Sequence, residues 1–344
     1  MERERVMEPM ERVLAAARFE PVDCVPVAAA ITDFYMRTVT PGLDGLTVPE
    51  QEVAMLARGA ELFPGQPVFF MANPTPAIYP ELINRIKQAA GGGPLTTRVF
   101  REVSVPMPGY DAVNLKRLEE IRYWIEHMPG ELVRKYGYCD GLVRFENPFD
   151  TLVELVGSTD WFVKIATDPE FVHAAMTLFT EASIAGAKWL AGEIGMPKWV
   201  FLAEDFPGFV NRGDFEKFVV PYHKMIFDTF PDAVKLLHND SRTTHLLGVL
   251  PECGMDVFHF GHEVDIKEAK EAMGGRVALM GNIDPVRMLV SAPPEKLRAE
   301  CERIIEIGKR GGGFIFSTGG EVNPGTGPER VRLMLETASL KGKY

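Results

Sequence analysis

The chain has 344 residues, 46% of them hydrophobic, enough to bury a full core within a single large domain. A net charge of −11 and a pI near 5.3 argue against binding a phosphate backbone or an anionic membrane surface, and no basic run or arginine-rich stripe offsets that balance. No apolar run approaches the roughly 20 residues that span a bilayer, and the cysteines, Cys24, Cys139, Cys253 and Cys301, lie far apart, as expected of reduced thiols with no C-x-x-C metal pattern.

The start, Met-Glu-Arg-Glu-Arg, lacks an apolar core for export, so a cytoplasmic location is expected. Met7 to Arg18 reads as an amphipathic helix, and Val22 to Ile31 as the first barrel strand, ending at Thr32-Asp33-Phe34-Tyr35. Residues 40 to 110 are less regular, with many prolines, the Phe69-Phe70-Met71 run and the Gly91-Gly92-Gly93-Pro94 break. Thr96 to Val105 alternates like an antiparallel strand. This region reads as an N-terminal insertion that caps the mouth. Leu115 to His127 and Pro129 to Tyr136 are expected to be helical, and Gly141 to Glu146 a strand.

The second half repeats one design: an apolar β-type run, a polar or ionisable tip, then a helical segment. Trp199-Val-Phe-Leu-Ala ends in Glu204-Asp205, and Val234-Lys-Leu-Leu ends in His238-Asn239-Asp240. Val257-Phe-His-Phe ends near His262, Val277-Ala-Leu-Met in Gly281-Asn282-Ile283-Asp284, and Phe314-Ile-Phe in Ser317-Thr318-Gly319-Gly320-Glu321. Two less regular stretches, around Phe145 and Val156, make seven. Strands that alternate with helices pair in parallel, and ligands gather at their carboxyl ends. From Asp168 the alternation is expected to run steadily to the end, with helix caps at Asp214, Asp265 and Pro293-Pro294-Glu295. The expected architecture is an α/β, (β/α)8 TIM barrel with that capping insertion, one domain over residues 1–344.

His238-x-Asp240 is the sharpest chemical feature. Side chains two apart on an extended chain point to the same side. An imidazole and a carboxylate so placed either bind a divalent metal or form an acid–base couple; the alternative is a histidine hydrogen-bonded in the core with Asp240 capping the next helix. Glu204-Asp205 are adjacent carboxylates that repel, so one is expected to be protonated, metal-bound or paired with a cation, or else one faces inward and the other caps a loop. Glu321 follows two glycines and turns either to the mouth or to water. His259 alternates with Phe258 and Phe260 as a packing residue, leaving His262 as the better mouth candidate. Asn282 lines the site or merely accompanies Asp284, an ordinary cap before Pro285. Most of the phenylalanines must be core, yet Phe69, Phe206 and their neighbours suit a flat apolar substrate.

Arg12-Val-Leu-Ala-Ala-Ala-Arg-Phe-Glu-Pro-Val-Asp-Cys-Val-Pro-Val, Glu204-Asp-Phe-Pro-Gly, Phe218-Val-Val-Pro-Tyr-His-Lys, Leu279-Met-Gly-Asn-Ile-Asp-Pro, and Gly313-Phe-Ile-Phe-Ser-Thr-Gly-Gly with Pro328-Glu-Arg-Val-Arg resemble the uroporphyrinogen decarboxylase superfamily. The resemblance spans almost the whole chain and implies a (β/α)8 barrel with its site at the carboxyl mouth. The decarboxylases carry Arg-Gln-Ala-Gly-Arg-Tyr after the first strand to hold propionates. Here Thr32-Asp-Phe-Tyr-Met-Arg-Thr-Val offers one arginine, Arg37, and the acidic Asp33, which disfavours a tetrapyrrole.

The other branch is similar to methyltransferases that work with a corrinoid protein. Its thiol-activating members bind zinc through His-x-Cys at the position of His238-x-Asp240 and a further cysteine near Gly320. With Asp and Gly at those places, the resemblance implies a harder metal suited to oxygen. The expected function is therefore O-demethylation of a methoxylated aromatic or similar small methyl ether. The alternatives are a decarboxylase and a binding barrel that has lost its metal. The corrinoid is expected on a partner protein, since the chain has no Asp-x-His-x-x-Gly motif; no nucleic acid or membrane is expected, and a homodimer stays open. Catalysis is assigned to Glu204, Asp205, His238 and Asp240, zinc to His238, Asp240 and Glu321, and substrate contact to Asp33, Tyr35, Phe69, Met71, Phe206, His262 and Asn282.

Overall fold

The computed structural model describes residues 6–66, 74–109, 111–138 and 140–344. They pack as two compact units, one drawn from Met1–Asn73, Glu120–Asp140 and Asp256–Tyr344, the other from Pro74–Glu119 and Gly141–Met255. Among the described residues six strands follow in chain order: β1 Leu142–Arg144, β2 Trp199–Ala203, β3 Val234–Asn239, β4 Val257–Phe260, β5 Ala278–Ile283 and β6 Phe314–Thr318.

In the first unit β4, β5 and β6 pair in parallel, with Val257 opposite Ala278 and Leu279 opposite Phe314. All three are buried along their whole length, as expected of parallel strands covered on both faces. The segment expected as the first strand lies along β6. Val27 bridges Phe316 in parallel, Ala28 N–H donates to the Phe316 carbonyl at 2.9 Å, and Phe316 N–H donates to that of Pro26 at 2.8 Å. Pro26 has no N–H of its own, so the ladder stays short. His259 is fully buried, its Nε2 2.8 Å from the Thr318 carbonyl, the packing role its alternation indicated.

In the second unit β1, β2 and β3 are also parallel. Arg144 N–H donates to the Pro74 carbonyl at 2.8 Å, so the chain at Pro74 runs beside β1. The named strands among the described residues are thus extended by the Val27 segment beside β6 in the first unit and by the Pro74 carbonyl beside β1 in the second. The 26-residue helix Pro169–Ile194 follows the Asp168 cap, whose carboxylate accepts Phe171 N–H.

Three local expectations are corrected. Val156 ends a helix, Pro148–Val156, rather than a strand: proline at the first position starts it, and Phe149, Leu152 and Val153 bury one helical face. Thr96 to Val105 is not a strand either. Thr96 caps the helix Thr97–Glu102, and Arg98 pairs with Glu102 one turn on at 2.7 Å. Asn211, not Asp214, caps the helix Arg212–Phe218, accepting Asp214 N–H at 3.0 Å. Asp265 does cap Ile266–Met273. Between β3 and β4 stand only short 3-10 turns, Thr244–Leu246 and Leu250–Cys253, so the helical alternation lapses there. No helix among the described residues is long and apolar enough to cross a membrane.

Glu146, just beyond β1, holds the start of the helix Tyr79–Ala90 by accepting the N–H groups of Ile78 at 2.9 Å and Tyr79 at 3.1 Å. Burial pushes its carboxyl up to about 7 against the pull of those donors. A carboxyl raised in the folded state favours folding fully below its ordinary value, and that contribution is lost as pH climbs through about 7. Between pH 5 and 8 the wild type should therefore lose roughly 2.5 kcal/mol relative to Glu146→Gln, which cannot ionise. Urea unfolding of both proteins across that range checks this, and parallel stability curves would contradict it.

Candidate functional site

The tips of β2 and β3 are stapled by Asn239, which is buried between them. Its amide donates to the carbonyls of Glu204 at 2.7 Å and Asp205 at 3.2 Å, and its Oδ1 accepts from Ser241 N–H at 3.0 Å and the Ser241 hydroxyl at 2.5 Å. Alternation along β3 puts Asn239 on one side and His238 and Asp240 on the other. Asp205 Oδ1 accepts Asp240 N–H at 2.9 Å and lies 3.8 Å from His238 Nε2. Asp205, His238 and Asp240 each offer one ligand atom, all within 4.8 Å of one another.

The adjacent carboxylates part company. Glu204, 1% exposed, turns inward, where Oε1 accepts Phe149 N–H at 2.6 Å and Oε2 lies 2.5 Å from His223 Nε2. His223 Nδ1 is buried without a partner among the described residues, so the ring proton belongs on Nε2, pointing at Glu204. Asp205 faces outward with 45% of its side chain exposed. Asp150, in the first turn of Pro148–Val156, accepts Asp205 N–H at 2.9 Å and Phe206 N–H at 3.0 Å. Burial first, then the charge of Glu204, pushes its carboxyl up to about 8.

His238 keeps 14% of its side chain exposed. Burial, with a smaller push from the Arg144 charge, brings its imidazole down to about 4. It is therefore neutral at pH 7, a poor proton donor and a ready ligand. Arg144 itself sits 5.2 Å over the Phe201 ring. Phe206 is half-buried, its ring centre 6.0 Å from that of Phe209.

The remaining sequence candidates belong to the first unit or lie outside the described residues, as Phe69 and Met71 do. Asp33 is exposed and lies 3.5 Å from Arg37. Tyr35 is fully buried near Phe63, its hydroxyl pushed up to about 12 by burial. His262 Nε2 stands 3.5 Å from Asp284 Oδ2, while Asp284 Oδ1 caps the following turn at Val286 and Arg287. Asn282 is buried, its amide donating to the carbonyls of Gly261 and Val264. Glu321 is exposed beyond β6 and is not among the three grouped donors, which take in Asp205 instead. Sequence reasoning missed Asp150, Asn239 and His223. Asp150 reads as an ordinary acid in a first helical turn, and no spacing links His223 to Glu204.

A profile of the uroporphyrinogen decarboxylase (URO-D) family matches residues 92–339. The chain belongs to that family. Uroporphyrinogen decarboxylase of Thermodesulfovibrio yellowstonii is 31% identical over 187 residues, 52% of this chain and 53% of the relative. That of Nocardia farcinica is 30% identical over 177 residues, 49% and 48% of the two chains. The matches thus span about half the length of these curated relatives. Among solved structures, a methyltransferase from Methanosarcina mazei shares the fold with a TM-score of 0.71 at 19% identity, covering 97% of this chain and 99% of that one. The URO-D fold, a (β/α)8 barrel, is the one expected from the strand tips.

Gly208 lets the two tips close: a Cβ there would meet Ser241 Oγ at 1.8 Å and its Cβ at 3.1 Å. Gly208→Ala should cost about 1–3 kcal/mol by overpacking and by turning Ser241 away from Asn239. A double-mutant cycle with Ser241→Ala should recover much of the loss, because the clash goes with the hydroxyl. Strict additivity of the two losses would refute the contact as its source.

Proposed function

We propose that this URO-D family protein demethylates a methoxylated aromatic, or a similar small methyl ether, by passing the methyl group to a corrinoid carried on a separate protein. The observation that carries this reading is the joining of His238 with Asp205 and Asp240, one imidazole nitrogen and two carboxylate oxygens in one set. The family match and the fold shared with the Methanosarcina mazei methyltransferase support it.

The set fits a divalent cation. Donor atoms held by one zinc ion at about 2.0–2.2 Å stand roughly 3–4 Å apart, and Asp205 Oδ1 and His238 Nε2 are 3.8 Å apart. His238 Nε2 and one oxygen each of Asp205 and Asp240 would hold it. Bound there, zinc would supply a Lewis acid for the ether oxygen. With no thiolate among these donors, the site favours a hard oxygen partner over a thiol.

The chain's own residues set the conditions for transfer. His238, already neutral, offers its lone pair without first shedding a proton. Glu204 is held inside by Phe149 and His223, which leaves Asp205 as the member of that pair able to meet a ligand. Phe206 and Phe209 offer flat apolar surface to an aromatic ring. The aryl oxygen keeps the electron pair of the broken bond and takes a proton from water, while the methyl group leaves with the partner.

That the curated relatives are uroporphyrinogen decarboxylases favours a second reading, a decarboxylase. Charge weighs against it: Arg37, the arginine of the segment after the first strand, is exposed, faces Asp33 and bonds Gln51.

The purified protein should hold about one zinc per chain, bound more weakly than in a cysteine-rich site and slowly lost to chelators. His238→Ala and Asp240→Ala should each lose it, and full retention in both would remove the ligand assignment. Mixed with a reduced corrinoid protein and a methoxylated aromatic, the enzyme should give methylated corrinoid and free phenol in equal amounts. Demethylation at full rate without the corrinoid protein, or carbon dioxide released from a carboxylated substrate, would overturn the assignment.

A further inference from the structure

Asp150 commits both carboxylate oxygens to a neighbouring loop, Oδ2 to Asp205 N–H at 2.9 Å and Oδ1 to Phe206 N–H at 3.0 Å. The peptide it grips carries the Asp205 side chain, whose Oδ1 in turn accepts Asp240 N–H at 2.9 Å. One carboxylate thus fixes the backbone of a second, and the second fixes the backbone of a third. The third strand's own tip is tied in by Glu204 N–H, which donates to the His238 carbonyl at 3.0 Å. A two-point grip on consecutive N–H groups sets the rotation of the peptide as well as its distance, and the rotation decides where the Asp205 carboxylate points.

We propose that Asp150 is a positioning residue for the cation site: it sets the direction in which Asp205, and through it Asp240, presents its oxygens. This rests on the cation reading above. The same unit contains its own control. Glu146 makes an equivalent two-point grip on Ile78 and Tyr79, at 2.9 and 3.1 Å, but those peptides carry none of the three donors. Asp150→Ala and Glu146→Ala therefore remove the same kind of bonding, and only the first removes it behind a ligand.

The test is titration of the full-length metal-free protein with Co(II), reading affinity and the visible d–d bands, beside urea unfolding of each metal-free variant. Asp150→Ala should bind Co(II) about 10–100-fold more weakly and with altered bands. Asp150→Asn, which keeps one acceptor and the shape of the side chain, should fold and fall between Asp150→Ala and wild type. Glu146→Ala should lose stability yet bind with the wild-type affinity and bands. Wild-type binding and bands in Asp150→Asn, or an equal loss of affinity in Glu146→Ala, would overturn the positioning role while leaving the cation site standing. A wild-type protein that takes up no Co(II) would remove the cation reading and this inference with it.

Discussion

Backbone N–H groups left without partners where parallel strands stop are the constraint around which the second unit is organised. The ladder ends, the chain turns, and the donors that follow lie at the edge of a low-dielectric interior where an unmet group is costly. Carboxylates meet them here. Glu146 takes the N–H groups at the start of Tyr79–Ala90, Glu204 takes Phe149 N–H, Asp150 takes those of Asp205 and Phe206, and Asp205 takes that of Asp240. Burial opposes the arrangement, which is why the carboxyls of Glu146 and Asp150 are pushed up to about 7 and about 8. The acidity gathered at the strand ends is therefore first a structural device. On the β2 and β3 tips the carboxylates that lie beside His238 are those of Asp205 and Asp240.

This separation shows why the two neighbours Glu204 and Asp205 cannot share a role. Adjacent residues at the end of a strand point to opposite sides, so one must go in when the other goes out. Going in, Glu204 meets His223 and a helix N-terminus, a charge-assisted contact with partial positive charge from the first turn of Pro148–Val156. Going out, Asp205 keeps nearly half its side chain in water and can move toward a ligand. The sequence shows the pair but not the partner, because His223 lies 19 residues further on in another helix.

Much of the barrel is legible from hydrophobic runs and their polar tips. β2 to β6 fall where apolar runs end in polar or ionisable residues, since parallel strands covered on both faces are mostly apolar. Val156 and the Thr96–Val105 run are misread for a shared reason: short apolar stretches fit two periods, and capping residues decide between them. Pro148 and Thr96 are those deciding residues. At the site, His238 and Asp240 follow from alternation alone, whereas Asp150 acts through backbone atoms 55 residues away, a relation without sequence periodicity.

The electrostatics of the three-donor set give the strongest physical reason to expect a cation there. His238 brings no charge at neutral pH, since burial and Arg144 hold its imidazole down to about 4. Asp205 and Asp240 each bring a carboxylate, and ligand atoms within 4.8 Å leave the two oxygens repelling one another. Asp240 N–H relieves Asp205 in part, but that bond also draws the two closer. A divalent ion bound among these donors would offset the two carboxylate charges. A protonated histidine would have done half of that work, and the burial of His238 prevents it. The same burial that silences His238 as an acid thus keeps its imidazole in the neutral form that a metal requires.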